Sequence, residues 1–120
     1  MKEPKIISYN GKNVIYLDFS NLKKVEHITE LNDGARSFIQ KQPINSTLVL
    51  TNVENMYFNN ELRNLFIQTA RVNSPYIKAS VIIGLYGLIS FIFNDFLKQS
   101  GRNIKLFKTQ EEALEYLTSF

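Results

Sequence analysis

The chain has 120 residues, 44% of them hydrophobic, and a formal net charge of +3 from 14 Lys and Arg against 11 Asp and Glu. That length and apolar content suit one domain with its own core, spanning residues 1–120. With no Cys in the sequence, disulfides, thiolate catalysis and cysteine zinc sites are excluded.

The basic residues are scattered, and no run exceeds the pair Lys23-Lys24. A nucleic-acid groove needs a denser stripe, so nucleic acid is not an expected partner. Met1-Lys2-Glu3-Pro4-Lys5 has no apolar run behind it and does not read as a signal peptide. The apolar region from Val81 to Phe93 is broken by Gly84, Gly87 and Ser90. It falls short of the ~20 residues of a membrane span. A cytoplasmic protein is expected.

Lys5 to Tyr9, Asn10-Gly11 and Asn13 to Phe19 predict a β-hairpin, because Asn and Gly both accept the positive φ of a two-residue turn. Along the second strand Ile15, Leu17 and Phe19 share one face, and Val14, Tyr16 and Asp18 the other. The spacing of Val25, Ile28, Leu31, Ala35, Phe38 and Ile39 predicts a helix over 24–42, with Pro43 as its stop. Gly34 weakens that helix by about 1 kcal/mol relative to Ala and suggests close packing.

Thr47 to Val53 is apolar on both faces, as a central parallel strand is. Asn59 or Asn60 can cap a following helix whose buried stripe is Leu62, Leu65, Phe66 and Ala70. Asn73-Ser74-Pro75 ends it, and a strand runs from Ile77 to Leu85. A third helix is predicted over 88–99 with Gly101 as its stop, then a short strand over 104–107. Thr109, with Glu112 three residues on, forms a capping box that opens the last helix. The order is ββαβαβαβα: an α/β fold with a mixed, mostly parallel five-stranded sheet, an N-terminal hairpin and four helices.

That order resembles the STAS fold of anti-sigma-factor antagonists, and more closely the SpoIIAA-like family of small bacterial proteins. The residues that carry the resemblance are Val14 to Ser20, Leu48 to Val53, Asn73 to Ala79, Ile83 to Leu88 and Phe107 to Leu114. Each stretch is loose alone, and their order and spacing make the match. The resemblance implies a non-enzymatic regulatory module that works by protein–protein interaction. In the antagonists an Asp-Ser-x-Gly-Leu stretch carries a phosphorylated Ser at the start of the second helix. The matching stretch here is Phe58-Asn59-Asn60-Glu61-Leu62. Asn stands where Ser belongs and the Gly is missing, so the phospho-switch does not carry over.

Asp18, Ser20, Asn52, Asn59, Asn60 and Tyr86 each end or follow a parallel strand, at the edge where open α/β sheets bind ligands. They form either a small polar rim site facing a helix N-terminus or a set of turn and cap residues. His27 has only surface carboxylates such as Glu30 within helical reach, which fits a solvated side chain. No catalytic residue, metal site or cofactor is expected. Gly84-Leu85-Tyr86-Gly87 lacks the spacing and Lys of a phosphate loop and reads as a tight turn.

The helix over 88–99 has an apolar excess. Leu88, Ile89, Phe91, Ile92, Phe93, Phe96 and Leu97 cover roughly 240° of the helical wheel, against the ~100° or more that one sheet face requires. Phe91 and Leu97 cannot both point at the sheet. They meet a neighbouring helix, a second subunit or protein partner, or an apolar, lipid-like ligand. The interaction surface expected from sequence is therefore Asn59, Asn60, Leu88, Phe91 and Leu97. The alternative function is a carrier or sensor of a small apolar ligand.

Overall fold

The protein is described from a computed structural model, which covers residues 2–86, 98 and 104–120. Strands β1 (Lys5–Tyr9), β2 (Lys12–Asp18), β3 (Thr47–Asn52), β4 (Ile77–Ile83) and β5 (Lys105–Leu106) lie side by side in chain order. The β1–β2 pair is antiparallel and the remaining pairs are parallel. Helices α1 (Val25–Ile39), α2 (Asn60–Asn73) and α3 (Gln110–Leu117) pack with the sheet, and Lys98 is also helical. A 3-10 turn at Ser74–Tyr76 leads into β4. Of the helix expected over 88–99 only Lys98 is described, and Leu88, Phe91 and Leu97 lie outside the described residues.

The hairpin forms as its turn chemistry requires. Asn10 and Gly11 take φ of 50° and 75°, the left-handed values of a two-residue turn. The alternation in β2 then sorts side chains between two cores. Ile15, Leu17 and Phe19 pack beneath α1 and α2, and Val14 and Tyr16 pack with α3. In β3 and β4 both faces are covered. Val49 and Ile82 enter the α1–α2 core, while Leu48, Leu50, Ala79, Val81 and Ile83 enter the α3 core. Each fully buried Leu or Ile contributes about 1.5–3 kcal/mol, so these two strands anchor both layers.

Helix α1 ends at Ile39, short of Gln42. The Lys41 amide donates to the Phe38 carbonyl (3.3 Å) and the Gln42 amide to that of Ile39 (3.0 Å). Bonds of this three-residue reach tighten the last turn, because Pro43 disfavours helical backbone at the residue before it. Strand β4 stops at Ile83 rather than Leu85, because Gly84 turns the chain aside with φ of 89°. At α3 the Thr109 hydroxyl accepts from the Glu112 amide (3.1 Å) and donates to the Glu112 carboxylate (3.0 Å).

Gly34 is exposed, and a Cβ built there meets Pro4 Cδ at 3.5 Å, an ordinary contact. Close packing therefore does not require this glycine. Gly34→Ala is expected to raise stability by about 0.5–1 kcal/mol, read as a higher denaturant midpoint at unchanged slope.

Candidate functional site: the carboxyl rim and the cavity beneath the helices

The carboxyl ends of the parallel strands bring Asp18 opposite Asn52, and Asn52 opposite Ile83. Asp18 Oδ1 accepts from the Ser20 amide (3.0 Å) and hydroxyl (2.5 Å), which closes the turn out of β2. Lys2 Nζ lies 3.4 Å from the same oxygen and donates to the Ser20 carbonyl and hydroxyl. Asn52 Oδ1 accepts from the Glu54 amide (3.0 Å), and its Nδ2 donates to the Tyr16 hydroxyl (3.1 Å). Both amide ends of that side chain are occupied, and the turn after β3 is held by the first of them.

Two more asparagines complete the turn system. Asn21 and Asn55 take φ of 62° and 56°. Asn55 Nδ2 donates to Asn21 Oδ1 (2.8 Å), and Lys23 Nζ donates to Asn55 Oδ1 (2.8 Å). The Asn21 amide donates to the Glu54 carbonyl (2.9 Å), and the Tyr57 amide to the Leu22 carbonyl (2.9 Å). Asn suits these left-handed positions because its short side chain bonds locally.

Asn59 is the N-cap of α2, and its Oδ1 accepts from the Leu62 amide (2.8 Å). Asn60 is the first helical residue and is exposed. Tyr86 lies beyond β4 with 58% of its surface exposed, and Tyr57 is 43% exposed. His27 is exposed in the first turn of α1. Asp18, Ser20, Asn52 and Asn59 therefore hold turns and a cap. Among the described residues no three of His, Asp or Glu gather closely enough to hold a metal ion. No helix among the described residues is long and apolar enough to cross a membrane.

A cavity of about 90 Å³ lies between the sheet and the α1–α2 pair. Leu17, Val49 and Ile82 form its floor, with Ala35, Ile39, Phe66 and Ala70 above. The polar residues Asn32, Thr51, Thr69, Asn73 and Ser80 also line it. Asn32 Nδ2 donates to Thr69 Oγ1 (3.0 Å), and Gln40 Nε2 to Asn73 Oδ1 (3.3 Å), so these groups tie α1 to α2. The sequence reading takes Asn73 only as the stop of α2 and gives Asn32 and Thr69 no role. The signal was present: Asn32 lies four residues after Ile28, and Asn73 seven after Phe66, so each stands on an apolar stripe.

Burial of the Asp18 carboxylate works against its ionisation. The hydrogen bonds from the Ser20 hydroxyl and amide, together with Lys2, outweigh it and hold the pKa below the usual carboxylate value. A depressed folded-state pKa adds stability above the unfolded-state value near ~3.9, and that stability is lost as pH falls through the folded value. Asp18→Asn is accordingly expected to lower the melting temperature at neutral pH, with the difference from wild type shrinking as pH falls below the usual carboxylate range. Paired thermal melts across that range measure it.

The chain matches no protein-family model, no curated protein and no solved structure.

Proposed function

We propose that the chain is a non-enzymatic, STAS-type regulatory module of the cytoplasm that acts by docking another protein. One observation carries this reading: the rim side chains best suited to chemistry are engaged in building turns. Asp18 and Ser20 bond each other and Lys2, Asn52 bonds Tyr16 and Glu54, and Asn59 caps α2. Where the antagonists carry a phosphorylated serine, a capping carboxamide stands instead. The face that remains at the rim is Asn60 with the exposed rings of Tyr57 and Tyr86. Tyrosine is enriched at protein interfaces because its ring is large and apolar while its hydroxyl tolerates water. Leu88, Phe91 and Leu97, the other interaction residues expected from sequence spacing, lie outside the described residues.

The alternative reading, a carrier of an apolar ligand, has an apolar cavity on the helix-covered face in its favour. Its size argues the other way. Ligand pockets run from roughly 300 to 1,000 Å³, and even benzene has been held in a cavity of about 150 Å³. The 90 Å³ found here is smaller than both.

The test is affinity capture from host lysate with wild type and a Tyr57→Ser/Tyr86→Ser variant of unchanged circular dichroism. A discrete partner protein held by wild type and lost from the variant is expected. Equal capture by both removes the rim from the account. A lipid mass on host-purified protein in native mass spectrometry would replace the docking reading with the carrier.

A further inference from the structure

Strand β1 is an edge strand, and among the described residues nothing pairs with its outer side. Its polar backbone groups follow a fixed alternation. A two-residue turn closes on a hydrogen-bonded pair, here Tyr9 and Lys12, and such pairs then alternate with non-bonded ones. Ile7–Val14 and Lys5–Tyr16 are thus bonded across the hairpin. Ser8, opposite Asn13, and Ile6, opposite Ile15, direct their N–H and C=O groups away from the sheet. Ile6 is 55% exposed, and Ser8 is exposed as well, so α1 leaves this strand uncovered.

The same strand is complementary to itself in charge. Lys5, Ile7 and Tyr9 stand on the α3 face, the face of their partners Tyr16 and Val14. At the Tyr9 end an acidic corner waits. The Tyr9 hydroxyl donates to Glu115 Oε1 (2.7 Å), and that bond, with desolvation and the nearby charges of Glu115 and Glu111, pushes its pKa up. At the other end Lys5 is exposed and makes no ion pair among the described residues.

We propose that β1 is a self-association edge, pairing antiparallel with β1 of a second copy about a two-fold axis centred on Ile7. In that register Ile6 faces Ser8 of the second copy. Both residues present their backbone groups outward, so each such pair exchanges two hydrogen bonds. A two-fold axis normal to the sheet keeps each face on its own side. It therefore sets Lys5 of one copy beside Tyr9 of the other, within reach of Glu115 and Glu111. The two Ile7 side chains meet at the axis as a close, non-bonded pair. A slip of one residue would turn Lys5 away from the acidic corner, so charge and hydrogen bonding select one register. Contacts of this kind are isologous and close at two copies. The surface is separate from the rim and stands whether or not the docking reading holds.

Sedimentation equilibrium of the full chain over a concentration series tests this. A reversible dimer that weakens as salt rises is expected, since the Lys5–Glu115 pairs are screened. Ser8→Pro removes an outward N–H from each copy without breaking the bonded pairs of the hairpin, and is expected to weaken the dimer about tenfold or more. Lys5→Glu leaves the backbone of β1 unchanged and is also expected to weaken it. Glu115→Lys added to Lys5→Glu restores association by exchanging the signs. A monomer at every concentration overturns the proposal. So does a dimer unaffected by Ser8→Pro, or one that Lys5→Glu leaves unchanged or that the double exchange fails to restore.

Discussion

The rim of this protein depends on one close approach of backbone to backbone. The chain leaves β4 at Gly84 with φ of 89°, and an added Cβ would stand 2.5 Å from the Glu54 nitrogen and 2.9 Å from Asn52 Oδ1. Only glycine fits there on both counts, because the left-handed conformation and the space are each closed to a side chain. With Gly84 beneath it, the turn after β3 lies flat on the end of β4. Asn52 can then hold the Glu54 amide, and the Glu54 carbonyl can receive the Asn21 amide from the loop after β2. Asn55 and Asn21 join side chains above, and Tyr57 bonds back to Leu22. The loops after β2 and β3 are thus one hydrogen-bonded unit seated on the end of β4.

Within that unit the polar side chains at the carboxyl edge of the sheet serve as turn formers and a helix cap. Their acceptors and donors are engaged within the loops, where they replace backbone partners that irregular chain would otherwise lack. The surfaces left exposed include the rim tyrosines and the outer edge of β1. The cavity beneath α1 and α2 belongs to the packing of those helices. Its polar residues join one helix to the other, and its volume is below that of a ligand site.

Local rules made much of the fold legible. Asn10-Gly11 named its own turn, the alternation in β2 sorted its two faces, and the unbroken apolar run of β3 announced a buried parallel strand. Asn59 and Thr109 cap helices as their positions suggested. The rest depends on tertiary neighbours. An asparagine reads the same in sequence whether it caps, turns or binds, and only the partner atom decides. Asn21 and Asn55 found each other across 34 residues, and Lys2 found Ser20 across 18. Asn32 stands visibly on an apolar stripe, but its partner is tertiary in the same way: the second helix supplies Thr69. The end of α1 shows the reverse case: Pro43 is legible as a stop, yet the helix expected to reach Gln42 ends at Ile39.

Hydrogen exchange on Gly84→Ala, followed amide by amide by NMR, tests the central claim most directly. The Asn21, Glu54 and Tyr57 amides should lose protection about tenfold or more, while amides inside α1 and the β1–β2 ladder lose less. Rim amides that exchange as slowly in Gly84→Ala as in wild type would mean that the loops stand without this contact, and the account of the rim would be wrong.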